Sequence, residues 1–483
     1  MDINIKTNLT MLMDFYELTM ANGYFINNFK DTNAYFDVFF RKVPDGGGFA
    51  IMAGLEQLIE YLKNLKFTKD DIDYLQSKDI FCDEFLNYLE NFKFSCDVWA
   101  VPEGTPIFPN EPVVIVKGPV IEAQLIETMV LLTINHQSLI ATKANRIVRA
   151  AGERAVMEFG SRRAQGCDGA VLGARAAYIG GCVGTACAIA ERDYKIPAIG
   201  TMAHSWIQMF SNELEAFRAY ARAYPNSCTL LVDTYNVLKS GVPNAIKVFN
   251  EELVPKGARP KGIRIDSGDI TYLSREARKM LDDAGFPDCM IVASNSLDEY
   301  IIRDILLQGA KVDLFGVGER LITSKSEPVF GGVYKLSAVE ENGIPVPRIK
   351  LSENVGKVTN PGFKNVWRLF DKSSKKAIAD VLTLHDEVID ENDSYLLFDP
   401  EHTWKKKEVS NFEAKELLVK IFDKGNCVYK CPELDTVREY CKEQIGLLWE
   451  EVLRFENPHK YYVDLSRKLW DLKEKMLNEY SVK

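Results

Sequence analysis

Gly262-Ile263-Arg264-Ile265-Asp266-Ser267-Gly268-Asp269 alternates isoleucine with charge and then closes in a turn. In a strand alternate residues share a face, so Arg264 and Asp266 project together while Ile263 and Ile265 face the opposite layer. An Arg and an Asp on the inner face of a closed sheet are costly unless a ligand or counter-charge satisfies them. The stretch therefore predicts a strand whose C-terminal end opens on a polar site. Ser267-Gly268-Asp269 is expected to be a tight turn whose N–H groups and carboxylate suit ribose hydroxyls or Mg2+. The plainer alternative is an internal Arg–Asp pair, with Asp269 capping the next helix.

The same punctuation recurs on both sides. Strands are expected at 155–159, 178–181, 198–201, 229–233, 262–266, 290–293 and 312–315, with helical segments between most of them. Such alternation calls for parallel strands and crossover helices, and six or seven strands predict an irregular (β/α) barrel, with an open doubly wound sheet as the alternative. Arg162, His204, Asp233, Asp266, Ser294 and Gly316 each fall at or just past a strand's C-terminal end. In a barrel those ends form one mouth.

Outside this region the pattern differs. A helix over 12–24, a strand over 34–40, a helix over 55–65, short strands at 98–101 and 112–118 and a helix over 121–140 predict an N-terminal α/β sandwich domain, 1–135. The barrel then spans 136–346. Strands at 367–370, 377–384 and 394–398 predict a β meander, 347–400, packing on the N-terminal domain, and 401–483 is expected to be a mostly helical extension. The Lys405–Lys407 run is a solvated face or a boundary.

Composition narrows the function. The 483 residues carry 59 basic and 69 acidic side chains, a net charge of −10, which argues against nucleic-acid binding but is compatible with a local phosphate pocket. Ten cysteines without a CxxC pair indicate neither zinc nor a disulfide scaffold, and point to reduced thiols in the cytoplasm. The start, Met1 to Thr7, has an acid and no apolar run, so no signal peptide is expected. The low-charge stretch 164–190 is broken by Asp168, Arg175 and glycines, a poor membrane span.

Three further motifs carry chemistry. Gly200-Thr201-Met202-Ala203-His204-Ser205 sets a histidine after a short apolar strand and before a helix expected near 210; for an isolated histidine a satisfied structural role is the simpler reading, and the motifs around it weigh against that. Phe315-Gly316-Val317-Gly318, leading to Thr323, is a glycine-rich turn that lets backbone N–H groups approach a phosphate, without the dinucleotide or Walker spacing. Glu158-Phe159-Gly160-Ser161-Arg162-Arg163 offers a ring for a planar substrate and a forked cation for phosphate; a core Phe and surface arginines are equally consistent.

These motifs, with Thr7-Asn-Leu-Thr10, Asp14-Phe-Tyr-Glu-Leu-Thr-Met20 and Asn360-Pro-Gly-Phe-Lys364, resemble the nicotinate phosphoribosyltransferases along most of the chain. The resemblance implies ATP-coupled transfer of a phosphoribosyl group from phosphoribosyl pyrophosphate to nicotinate, in NAD biosynthesis, by a cytoplasmic homodimer that uses ATP and Mg2+. It implies a transient phosphohistidine at His204, nicotinate contacts at Thr201 and Arg264, and a ring sandwich of Phe159 with Tyr16 of the other subunit. Arg162, Asp266, Ser267, Gly316, Gly318 and Thr323 fall where the family holds the phosphoribosyl moiety and its phosphates. Asp266 and Asp269 would position the sugar, with Mg2+ carried by phosphates and one of these carboxylates.

Three rivals stand beside this reading. A nicotinamide phosphoribosyltransferase would be expected to place an Asp around 180–185, where there is none. An aldolase or isomerase barrel wants a strand-end Lys, whereas Lys247 and Lys261 lie outside the expected strands. A non-catalytic phosphate-sensing barrel has no need of His204, Arg264 and Asp266 together.

Overall fold

The computed structural model describes residues 8–481. Met1 to Thr7, which carry the reading of the N-terminus and the head of its first motif, lie outside the described residues, as do residues 482–483. The chain divides into two compact units, Ile140–Pro328 and the joined segments Met1–Leu139 with Val329–Lys483.

The Ile140–Pro328 unit is built on six short strands: β1 (Ala155–Glu158), β2 (Gly184–Thr185), β3 (Thr229–Leu231), β4 (Gly262–Ile265), β5 (Met290–Ser294) and β6 (Leu314–Val317). They lie in the order β2-β1-β6-β5-β4-β3, and every pairing is parallel. Parallel neighbours need crossovers, supplied by helices such as Ile270–Asp283 between β4 and β5 and Glu299–Leu307 between β5 and β6. Ile263, Ile265, Ile291 and Leu230 are fully buried, as strands covered on both faces require.

The first and last of these strands in sequence, β1 and β6, pair with each other. No pairing joins the edges β2 and β3 among the described residues, so a closed sheet of six or seven strands is not found. The segment 198–201, expected as a strand, contributes one parallel bridge, Ala198 to Thr185. The expected strand at 178–181 is instead the end of the helix Cys167–Ile179. Its alanines favour a helix over an extended run, and Gly181, at φ 111°, ends it before β2.

The other unit carries a seven-stranded antiparallel sheet in the order Ile344–Pro347, Val333–Glu341, Asn33–Phe39, Val114–Pro119, Asp97–Ala100, Val419–Asp423, Asn426–Cys427. Residues 329–346, which alternation grouped with the barrel, belong here because Val333–Glu341 pairs with Asn33–Phe39. The helix expected over 121–140 is two, Val120–Gln124 and Glu127–Ala151. Lys364–Asp371 and Ala377–Leu384 form the expected hairpin, but Tyr395–Phe398 pairs with Lys406–Val409 rather than continuing a meander. The extension is therefore strand-rich up to Cys427 and helical only in Leu434–Gly446 and Arg467–Ser481.

Candidate functional site

The C-terminal ends of β4, β5 and β1 bring one charged cluster together. Arg264 on β4 is mostly buried and donates from Nη2 to Asp266 Oδ1 at 2.7 Å, from Nε to Ser294 Oγ at 2.9 Å and from Nη1 to Thr201 Oγ1 at 3.3 Å. Ser294, the last residue of β5, donates in turn to Asp266 Oδ1. Three of the five guanidinium N–H donors are thus engaged, leaving two for a ligand. The internal Arg–Asp pair and the inward polar site are both present; neither excludes the other.

His204 stands above this floor. The helix expected near 210 starts at His204 itself (His204–Gln208), and a second, Glu213–Ala223, restarts where the Asn212 side chain accepts from Glu215 N. The imidazole is 41% exposed; Nδ1 lies 3.1 Å from Thr234 Oγ1, and Nε2 lies 3.9 Å from both Asp233 Oδ1 and Asp266 Oδ2. Asp233 is sealed, its side chain 1% exposed. Its Oδ2 accepts from the Asp266 amide at 3.1 Å and from Ser267 Oγ at 2.6 Å, while Oδ1 is buried without a hydrogen-bond partner. Beside them a cavity of about 350 Å³ is lined by Asp233, Asn236, Lys239, Ser267, Gly268 and Tyr272.

Phe159 forms another wall. The centre of its half-buried ring lies 5.7 Å from the Arg264 guanidinium carbon, a cation–π arrangement. Gly316 is required by this ring, since a Cβ there would fall within 2.5 Å of Phe159 Cε2. A Cβ on Gly318 would meet Phe159 O at 3.0 Å; Gly316 lies within β6 and not in the expected turn, Gly318 just past its end, and both serve close packing against Phe159. Glu158, at the end of β1, is buried and accepts from Thr185 Oγ1 at 2.6 Å and from Gly160 N. Burial raises its carboxyl above the ordinary range, and these two bonds oppose the rise.

Some expected site residues do other work. The Asp269 carboxylate accepts from Tyr272 N at 2.7 Å and caps the helix Ile270–Asp283. Thr323 Oγ1 donates to Glu319 O at 2.8 Å, and Arg162 is exposed on the turn Ser161–Arg163 without a bond to the cluster. Tyr16 lies in the other unit, 44% exposed on the helix Phe15–Ile26 beside exposed Phe15 and Met20. Burial and the neighbouring Glu127 carboxylate hold its phenol protonated. Thr234 and Glu158 escaped the reading as contributors to the site. A hydroxyl next to the strand-end Asp233 was the available signal for Thr234; Glu158 had none beyond its position.

Residues 154–359 match the family model "Nicotinate phosphoribosyltransferase (NAPRTase) family", and residues 11–135 and 363–473 match the models of its N-terminal and C-terminal domains. The chain is similar to a Bacillus subtilis nicotinate phosphoribosyltransferase, with 44% identity over 98% of this chain and 96% of that one. It is similar to the human protein of the same name at 31% identity, over 95% of each chain. It also resembles the crystal structure of human nicotinic acid phosphoribosyltransferase, with a TM-score of 0.86 at 30% identity over 96% of this chain and 99% of that one.

Proposed function

The chain belongs to the nicotinate phosphoribosyltransferase family, and on that premise we propose how its own residues run an ATP-coupled transfer from phosphoribosyl pyrophosphate to nicotinate. It is an enzyme of this family, acting in NAD biosynthesis. The observation that carries the residue assignment is the convergence of His204, Asp233, Arg264 and Asp266 on one mouth.

Nicotinate lies against Phe159 with its carboxylate on the unengaged donors of Arg264 and the hydroxyl of Thr201. The pyridine nitrogen forms its bond to the anomeric carbon as the bond from that carbon to pyrophosphate breaks. Positive charge develops on the ribose ring, where the carboxylate of Asp266 stabilises it, so no covalent nucleophile is needed. Arg162 and the backbone at the C-terminal end of β6, Gly316 to Gly318, hold phosphate oxygens. A neutral amide in place of the carboxylate would leave the two unengaged Arg264 donors without an anionic acceptor, which favours nicotinate over nicotinamide.

His204 takes the terminal phosphoryl group of ATP on Nε2, because Thr234 occupies Nδ1: the N–P bond forms as the bond from that phosphorus to its bridging oxygen breaks and ADP leaves, and water later cleaves the N–P bond to release orthophosphate. The phosphoimidazole places about two negative charges at the mouth and orders the loops that grip phosphoribosyl pyrophosphate. The oxygen donors present, Asp266 Oδ2 and the partnerless Asp233 Oδ1, suit Mg2+, which binds through one or two carboxylates and substrate phosphates and neutralises phosphate charge. We read the β2–β3 seam as the open side of a barrel, bridged by His204–Thr234 and Arg264–Thr201 rather than by strand pairing. The enzyme works as a cytoplasmic homodimer in which Tyr16 covers the nicotinate ring of the other subunit.

Incubation with labelled Mg-ATP tests the reading. Wild type is expected to yield an acid-labile, base-stable phosphoenzyme that His204→Asn abolishes, together with pyrophosphate release dependent on nicotinate. Undiminished labelling of His204→Asn would overturn the assignment.

A further inference from the structure

The Met1–Leu139 and Val329–Lys483 unit holds a second cavity, of about 1580 Å³, whose lining includes no residue of the site above. Lys405, Lys406, Lys407, Lys460 and Lys473 line it, and none of the five makes an ion pair among the described residues. In a chain of net charge −10 such a concentration of lysines outside ion pairs gives the lining a local excess of positive charge, even with Asp399, Glu401, Asp464 and Glu474 beside them. Lys364, deeper in the lining, shows the contrast: it is buried and paired with Asp37 at 2.8 Å.

The Asn360-Pro-Gly-Phe-Lys364 motif, which the transfer reaction leaves unused, builds one wall. Lys364 Nζ donates to Asn360 O at 2.9 Å, and Asn360 Oδ1 accepts from Lys473 Nζ at 2.9 Å. Lys473 is thereby fixed, and burial pulls its ammonium below the ordinary range, so a bound anion would restore what burial removes.

The acids of this lining are poor competitors. Asp399 Oδ1 is committed to the turn amides of Glu401, at 2.9 Å, and His402, at 3.0 Å. Asp464 is buried and pushed up to about 7, by burial first and then by Asp399, against the opposing pull of Lys460. Glu401 and Glu474 are the remaining carboxylates beside the lysines.

Aromatic rings complete the lining. The rings of Trp449, His459 and Tyr462 lie with centroids 5.7 to 6.2 Å apart, edge to face, and Tyr462 is exposed. An angled aromatic corner beside clustered lysines suits a planar base carrying a phosphate chain. We propose that this cavity binds a nucleoside polyphosphate, with its phosphates among Lys405–Lys407, Lys460 and Lys473 and its base against Tyr462 and Trp449.

Equilibrium dialysis of the full chain with ATP, and separately with inorganic tripolyphosphate, tests this. Lys406→Ala/Lys407→Ala/Lys460→Ala changes only exposed side chains and is expected to bind one equivalent less of each probe per chain than wild type, with kcat retained. The same loss is expected when all proteins also carry His204→Asn, which separates this site from the catalytic reading. Equal stoichiometry in variant and wild type would overturn the site. Tyr462→Ala is expected to weaken ATP roughly tenfold at this site and leave tripolyphosphate unchanged. If both probes bind wild type equally, the ligand is a bare polyphosphate and the nucleoside assignment falls.

Discussion

Asp233 Oδ1 stands 3.9 Å from His204 Nε2 while the other oxygen of the same carboxylate is held by the Asp266 amide and the Ser267 hydroxyl. A buried acceptor without a hydrogen-bond partner is expensive, and the groups placed to offset it are the His204 imidazole and the Mg2+ that would accompany the phosphates. Asp233→Asn keeps the shape and removes the charge. It should slow phosphoenzyme formation by roughly tenfold, since a charge 3.9 Å from a 41% exposed imidazole is partly screened by solvent. Rapid-quench labelling checks this, and an unchanged rate would reduce Asp233 to a strut for the Ser267 turn.

Gly316→Ala should act through Phe159. The added Cβ falls within 2.5 Å of Phe159 Cε2, and the ring has to turn away from Arg264. The expected result is a nicotinate KM raised about tenfold, because one stacking face is lost, while phosphoenzyme formation from ATP is preserved. Steady-state kinetics in nicotinate beside the labelling assay separates the two. Loss of both would mean that the β6 turn had unfolded.

How much of this was written in the sequence depends on range. Arg264 and Asp266 were legible because strand alternation is a local rule, and the structure joins them at 2.7 Å. The run 178–181 misled because a short apolar segment fits a strand or a buried helix, and only its continuity with Cys167–Ile179 decides. The grouping of 329–346 failed for a longer-range reason: its partner, Asn33–Phe39, lies some three hundred residues away, and pairing at that separation leaves no local mark. Asp269 had two local uses, ligand and cap, and spacing alone did not choose between them. Asp233 was visible as a strand-end acid, but its orphaned oxygen, which gives it meaning, is a property of packing.

Glu17 supplies a pH signature. Burial first, and then Glu127, push its carboxyl from 4.5 up to about 7, against opposing bonds from Thr128 and Asp14. Between these values the unfolded chain has lost the proton that the native chain retains, so unfolding releases a proton and stability falls as pH rises. The loss is complete above about pH 7. After allowance for solvent screening Glu17 accounts for about 1 to 2 kcal/mol. Glu17→Gln should therefore flatten the wild-type decline in urea midpoint between pH 4.5 and 7. Parallel curves for the two proteins would show that Glu17 is ionised throughout.

Tyr16 bears on the oligomer. Phe15, Tyr16 and Met20 are each 38 to 45% exposed along one helix, with Leu12 just before it, an apolar stripe that a second copy of the chain would cover. If Tyr16 completes the partner's nicotinate site, each site needs a Tyr16 from one protomer and a His204 from the other. Tyr16→Ala and His204→Asn should then be weak alone and regain activity when mixed, because a mixed dimer contains one site with both residues intact. At equal amounts and random exchange about half the dimers are mixed, each with one sound site, so two-fold symmetry sets a ceiling at roughly a quarter of wild-type activity. Exchange is verified separately with differently labelled protomers, and mass photometry reports the dimer. No recovery under demonstrated exchange, or an active monomer at assay concentration, would sink the shared site and leave the stripe to another partner.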